Sequence, residues 1–345
     1  MTKNRSINFR YLELVNSDFE GDKIMAMYKI SKMKKEEIPE LIEMWHNQYS
    51  KYCNGTVTPD FLSGGENSIM TYLENQINYG NAIISKKDDV ITGYIAWMYF
   101  DFHNEKSAFC PIIGHATIEE DSQTIYHELY NYAAQIWVDD ARFNHLWMIY
   151  NDNHTLKDIL YDIGFGSHVI DAYTKVQKPV CEIDSKYKIS IATYSDAEVL
   201  LGLIKESVNF YIESPIFLKR GVYELDDVID IIKTDHLLVA WDNDRPIGIM
   251  NLSVQSGYNI ENLASTNTGL ISKVGAYIKP EYRGLGIGKC LLNEVMKHCT
   301  EKSIQYLHVC FETANPFANI FWRKHFKPII LSVRRTVNKD ANITK

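Results

Sequence analysis

The first half of this chain is a faint copy of its second half, and that repeat limits the possible folds more than any single segment does. Ile83 to Trp97 (IISKKDDVITGYIAW) reads as strand, polar turn and strand, and Leu238 to Leu252 (LVAWDNDRPIGIMNL) reads the same way, with Gly93 falling on Gly248. Further on, Gly114 to Ile118 falls on Gly275 to Lys279, Leu146 to Asn153 on Leu307 to Asn315 with a small gap, and Gly164-Phe165 on His325-Phe326. Each copy then ends in another strand, near Val169 to Val176 and near Ile329 to Val337. The period is roughly 155 to 162 residues. Solenoid units run only about 20 to 50 residues, so the repeat means duplicated domains. At 345 residues the chain is long enough for two of ordinary size. The expected layout is an arm over residues 1–26, one domain over 27–178 and a second over 186–338. The boundary is expected near Gln177 to Asp184, where Pro179 and polar residues interrupt the apolar pattern. Each copy reads as α/β (α+β), a central mixed, mostly antiparallel sheet flanked by helices. In the second copy the pattern gives a strand at Lys188 to Thr193, a helix capped by Ser195, and a second helix near Glu224 to Ile232. Strands follow at Leu237 to Trp241 and Ile247 to Val254. Gln255 to Asn267, rich in Asn, Ser and Gly, is expected to be a loop bordering the acceptor site.

Chemistry is concentrated in Tyr277 to Lys289 (YIKPEYRGLGIGK). Val274, Ala276 and Ile278 alternate along a strand before the glycines, whereas Ile287, Leu291, Leu292, Val295 and Met296 recur at helical spacing after them. Gly284, Gly286 and Gly288 therefore sit at a helix N-terminus. There the first N–H groups lack intrahelical partners and the macrodipole is positive, so an anion is favoured. The spacing decides which anion. A nucleoside-triphosphate loop needs four residues between its first Gly and Gly-Lys-[Ser/Thr], but here there are three and Cys290 follows. A dinucleotide turn needs G-x-G-x-x-G, and this chain has G-x-G-x-G.

Arg283-x-x-Gly286-x-Gly288 after Ile278-x-Pro280 resembles the acyl-CoA signature of the GNAT superfamily of N-acetyltransferases. The next elements agree: Tyr306 to Phe311 reads as a buried strand, and Asn315-Pro316 opens a helix with Asn as N-cap and Pro at the first position. Asn315 and Ala318 fit the family's N-x-x-A pattern. The resemblance implies acetyl-CoA as co-substrate, held by Tyr277, Ile278, Arg283, Gly284, Leu285, Gly286, Ile287, Gly288, Lys289, Asn315 and Trp322. It implies direct attack by a neutral amine in a ternary complex, with strand N–H groups near Ile278 polarising the thioester carbonyl. The family's acid is often a Tyr seven residues after the Asn. That position is Trp322 here, and an indole is no acid at neutral pH. Replacement proton carriers are sought on the preceding strand, where His308, Cys310 and Glu312 share a face. His308 and Glu312 are the candidates for catalysis. The missing Tyr also leaves a second reading, a CoA-binding regulatory or scaffold protein without turnover.

Laying Gly114 on Gly275 puts Ser122 to His127 where the second copy has Arg283 to Gly288, with no glycine left. The first copy is therefore expected to have lost acyl-CoA binding and either to complete the substrate groove or to serve as scaffold. A net charge of −8 without a Lys/Arg cluster argues against nucleic acid or an anionic membrane as partner. The resemblance implies instead a primary amine on a small molecule or peptide as the acceptor. Six cysteines without a C-x-x-C pair read as reduced thiols, His115, His127 and His154 show no metal-ligand spacing so that no metal is expected, and no apolar run has the length of a membrane span. These point to a cytoplasmic protein.

Overall fold

A computed structural model describes residues 28–53, 57–177 and 186–342. The expected N-terminal arm and nearly all of the expected boundary segment lie outside the described residues. The N-terminal copy runs β1 (Lys29–Lys32), α1 (Ile38–Cys53), α2 (Leu62–Tyr79), β2 (Ala82–Lys87), β3 (Val90–Ala96), β4 (Met98–Phe102), β5 (Glu105–Cys110) and β6 (His115–Thr117). It ends with α3 (Ser122–Asp139), β7 (Asn144–Tyr150), α4 (His154–Asp162) and β8 (Gly166–Lys175). The C-terminal copy runs β9 (Lys188–Ile191), α5 (Ala197–Phe210), α6 (Leu225–Thr234), β10 (His236–Asp242), β11 (Arg245–Val254), β12 (Gly269–Ile271) and β13 (Ala276–Ile278). It ends with α7 (Ile287–Glu301), β14 (Tyr306–Glu312), α8 (Pro316–His325) and β15 (Lys327–Thr336). With β3 and β4 together matching β11, the two orders coincide element by element.

Equivalent residues do equivalent work. A Cβ on Gly93 would lie 2.8 Å from Ile125 of α3, and one on Gly248 would lie 2.5 Å from Ile278 and 3.5 Å from Leu291 of α7. Both glycines let the sheet approach the elements packed against it. Asn153 and Asn315 both cap the following helix, accepting from the N–H of Leu156 and of Ala318 at 3.1 Å each. The first helix of the C-terminal copy departs from expectation at its start. Thr193, not Ser195, caps the leading turn, because Asp196 accepts from the Thr193 N–H at 2.7 Å and closes a capping box.

The closing strands are exchanged between the copies. β15 pairs with β7 and β8, while β8 pairs with β14 and β15. Each copy's last strand thus lies on the other copy's penultimate strand, and the two last strands lie on each other. The result is an eleven-stranded sheet running β4-β5-β7-β15-β8-β14-β12-β11-β10-β9, with β13 on β11, beside a four-stranded sheet β1-β2-β3-β6. Alternation along the exchanged strands feeds both sides. Ile170, Ala172, Leu331 and Val333 enter a core that also holds Trp147 and Leu129 from the N-terminal copy and Leu291 and Val295 from the C-terminal one. Tyr173 and Ile330 enter the core under α1 and α2. The loop after β11 also crosses over, burying Leu263 in that second core, and Tyr173 donates to the Asn262 carbonyl at 2.7 Å. Among the described residues no helix is long and apolar enough to cross a membrane.

Candidate functional site

A gap in the sheet opens above the glycine turn. β12 pairs in parallel with β14 through Gly269–Ile271 and Leu307–Val309, but β13 pairs with β11. The second half of β14 therefore keeps its partner β8 on one side and faces the gap on the other. Antiparallel alternation sets which groups point there. Lys279 N–H bonds to Ile247 and Asn251 N–H to the Gly275 carbonyl, so Ala276 and Ile278 turn their N–H groups away from β11 and into the gap.

Below the gap, Pro280–Tyr282 makes a single 3₁₀ turn and the chain passes through Gly284 and Gly286, both at φ +80°. A Cβ at either would meet nothing within 4 Å, so left-handed backbone and not crowding calls for glycine there. Gly286 is the N-cap of α7 and brings no capping side chain. The first intrahelical bond runs from Cys290 N–H to the Gly286 carbonyl, so the N–H groups of Ile287, Gly288 and Lys289 project from the helix end. Gly288 allows close packing, since a Cβ would lie 3.3 Å from the Phe321 ring. This cradle of amides, approached through Gly284, Gly286 and Gly288, fits a phosphate group. Leu285 is exposed beside it. The Arg283 guanidinium lies 4.6 Å over Phe210, 4.5 Å over Phe317 and 5.8 Å over Tyr277, and its Nε donates to the Ile278 carbonyl at 3.1 Å. Tyr277, Ile278, Arg283, the glycines and Asn315 are thus gathered around one opening. Trp322 is 6% exposed and packs in the shared core against Phe321 and Phe326.

His308, Cys310 and Glu312 share one face of β14, as expected, opposite Tyr173, Asp171 and Val169 of β8. His308 Nε2 lies 2.9 Å from Asp171 Oδ1, both side chains are buried, and the Tyr173 ring covers the imidazole at 4.9 Å. Cys310 is exposed at the surface of this face, and desolvation by the surrounding protein, then the Asp171 and Glu312 carboxylates, pushes its thiol up to about 12. Glu312 Oε1 meets Arg220 at 3.4 Å, and Oε2 is buried without a partner among the described residues. Arg220 in turn lies 3.9 Å over the Tyr211 ring. Burial, then the Glu312 charge, pushes the Tyr211 hydroxyl up to about 12, partly offset by Arg220 and by a hydrogen bond with Asn315. Tyr211 stays protonated at neutral pH, beside the carboxylate expected to take part. Burial, then Asp171, raises the Glu261 carboxyl in the loop after β11.

Three of these residues escaped sequence reasoning. Tyr211 and Arg220 belong to an irregular stretch after α5, where nothing local marks them. Asp171 did carry a signal, a lone carboxylate in the apolar run Val169 to Tyr173, and it comes from the copy without the glycine turn.

That copy differs at the equivalent turn. Four residues, 118–121, join β6 to α3, where eight, 279–286, join β13 to α7. Ser122–His127 consequently lies inside α3 and does not occupy the place of Arg283–Gly288. The N-cap is Asp121 at φ +57°, preceded by Glu119 and Glu120.

The model of the acetyltransferase (GNAT) family matches residues 208–326. No curated protein matches the chain. A GCN5-related N-acetyltransferase from Sphaerobacter thermophilus shares its fold at a TM-score of 0.59 and 12% identity, over 90% of this chain and 96% of that one. The GCN5-related glucosamine N-acetyltransferase region of a fungal multi-domain GH3 β-N-acetylglucosaminidase is similar at a TM-score of 0.50 and 11% identity, over 89% of this chain and 38% of that chain. At such identities the likeness is one of fold. The glycine turn, the opened sheet and the matched family model together identify residues 208–326 as a domain of the GNAT family of acetyltransferases.

Proposed function

We propose that this protein is an N-acetyltransferase that moves the acetyl group of acetyl-CoA to a primary amine of a small molecule or peptide, by direct attack in a ternary complex. The observation that carries the proposal is the amide cradle at the start of α7 opening onto the gap between β13 and β14. Acetyl-CoA, when bound, supplies an activated thioester carbonyl. The N–H groups of Ile287, Gly288 and Lys289 receive phosphate oxygens, and Arg283 swings from its aromatic slot to add a positive charge. The N–H groups of Ala276 and Ile278 face the position where negative charge develops. On the acceptor side, Glu312 and the His308–Asp171 pair take up the ammonium proton, and Tyr211 holds a proton available for a thiolate. The acceptor approaches over Cys310, which is exposed between His308 and Glu312 on the same face. The chain's net charge of −8 supports a cytoplasmic enzyme that uses neither nucleic acid nor an anionic membrane as partner.

The test is release of free CoA from acetyl-CoA against a panel of primary amines. Amine-dependent release is expected, and Glu312→Gln and Tyr211→Phe should each lower kcat by roughly 10²-fold with little change in KM for acetyl-CoA. The second reading, a CoA-binding protein without turnover, rests on Trp322 being a core residue where the resembling family has its Tyr. Binding of acetyl-CoA with no release on any amine would favour it.

A further inference from the structure

Arg283 ties the two lips of the gap together. Gly275 and Lys279 bond to β11 through Asn251 and Ile247, so by alternation Ile278 turns its carbonyl, like its N–H, away from β11 and into the gap. That gap-facing carbonyl is the one to which Arg283 Nε donates, at 3.1 Å. The guanidinium also reaches the far lip. It lies 4.5 Å over Phe317, the second residue of α8, the helix that follows β14. Phe210 at the end of α5 closes the slot from a third side, 4.6 Å from the guanidinium, with its ring 6.0 Å from that of Phe317 and 6.2 Å from that of Tyr277.

This bridge is built to be released. Arg283 forms no ion pair among the described residues, so its charge is held by ring faces and one carbonyl alone. Phe317 is 51% exposed, which leaves the slot open to water on one side. Arg283 also directly precedes Gly284, so one side chain stands beside both the gap and the amide cradle. A phosphate in the cradle offers the guanidinium a charged, bidentate partner that aromatic faces do not match. Any extended chain laid in the gap, for its part, needs the free edge of β13, and the Ile278 carbonyl on that edge is taken while Arg283 stays in its slot.

We propose that Arg283 is a phosphate-operated latch on the thioester gap, and thereby a specificity-determining residue that admits thioesters carrying phosphate and excludes those without it. This deepens the acetyl-CoA reading and rests on it. Phosphate at Ile287–Lys289 draws the guanidinium off Phe210 and Phe317, which frees the Ile278 carbonyl for the arm that carries the thioester. A thioester without phosphate must break the same contacts and gains no partner for the charge. The phosphate end and the thioester end of acetyl-CoA therefore assist each other's binding through one side chain.

Calorimetric titration of S-acetylpantetheine into the full chain, with and without saturating inorganic pyrophosphate, tests the latch. Pyrophosphate should tighten S-acetylpantetheine binding at least about fivefold. Arg283→Met should bind S-acetylpantetheine alone at least about fivefold more tightly than the parent protein, and pyrophosphate should add nothing further. Phe317→Ala should shift both quantities the same way by a smaller factor. Phe317 is exposed, so that variant keeps its fold even if the other does not. Coupling that is absent from the parent protein or survives Arg283→Met would overturn the latch, as would equal affinity of Arg283→Met and parent for S-acetylpantetheine, which would leave Arg283 as a phosphate contact only. In each of those cases binding of acetyl-CoA itself would leave the acetyltransferase reading standing. Failure of the parent protein to bind acetyl-CoA would overturn both.

Discussion

The turn before α3 and the turn before α7 occupy the same place in two copies of one fold, yet only one of them is fit for phosphate. Both begin a helix from a left-handed residue, at φ +57° in Asp121 and +80° in Gly286. Before α7 the chain presents bare amides and Arg283; before α3 it presents Glu119, Glu120 and Asp121, with Asp121 tied to Tyr28 and Thr124 at 2.8 and 2.6 Å. The helix dipole is common to both, so the difference lies in side chains and loop length. A helix N-terminus alone therefore does not make the proposed phosphate site. Without such a turn the N-terminal copy still reaches the other cleft, because its last strand carries Asp171 to His308 across the exchanged sheet.

The strongest way to break this comparison is to separate the copies. Because β8 and β15 are exchanged, residues 28–177 and 186–342 expressed apart should each fail to give a cooperatively unfolding monomer, and coexpression should restore a one-to-one complex. Size-exclusion chromatography with thermal melts decides; a well-behaved monomer from either half would refute the exchange. Acid sensitivity should also be unequal. Burial pushes His115 and His145 in the N-terminal copy down to about 4 each, while His236 and His325 in the other copy are lowered less and are partly exposed. Below about pH 6.5 the unfolded chain binds protons that these buried rings refuse in the folded state. Stability should therefore fall as pH drops from about 6.5 towards about 4, by up to roughly 3 kcal/mol per buried ring. Denaturant titrations across that range would show it, and a flat response would contradict the neutral assignment of His115.

Smaller changes sharpen the contrast. Gly93→Ala and Gly248→Ala should each cost about 1–3 kcal/mol through overpacking. Gly248→Ala should also weaken acetyl-CoA binding, since the new methyl group would strike Ile278. Gly93→Ala should leave that affinity alone, and equal effects of the two on binding would count against the gap at β13. Asn153→Ala and Asn315→Ala should each cost about 1 kcal/mol as lost caps, by thermal melts, with only Asn315→Ala altering acetyl-CoA affinity.

What was legible in the sequence was local. The helical spacing after Gly286 and the Asn-Pro start of α8 depend on neighbours a few residues apart, and both helices formed where expected; of the alternation before Gly284 only Ala276–Ile278 is strand, because left-handed Lys273 and Gly275 put Val274 in a turn. The strand exchange was hidden because alternation says which residues of a strand are buried, and nothing about which strand lies beside it. The shortening of the turn before α3 was hidden for a related reason. Anchoring Gly114 on Gly275 carried the comparison forward without the four missing residues, and so set Ser122 against Arg283. Tyr211 and Asp171 reach the site only through tertiary structure, one from a stretch without periodicity and the other from the opposite copy.

The central claim is that one copy binds acetyl-CoA, through the turn before α7. It is tested most directly by calorimetric titration of acetyl-CoA into the full chain and into Gly286→Glu. The account predicts one site per chain, weakened by at least about 100-fold in the variant, where a carboxylate and an unfavourable left-handed backbone replace a bare amide. Two sites per chain, or binding that survives the substitution, would contradict it.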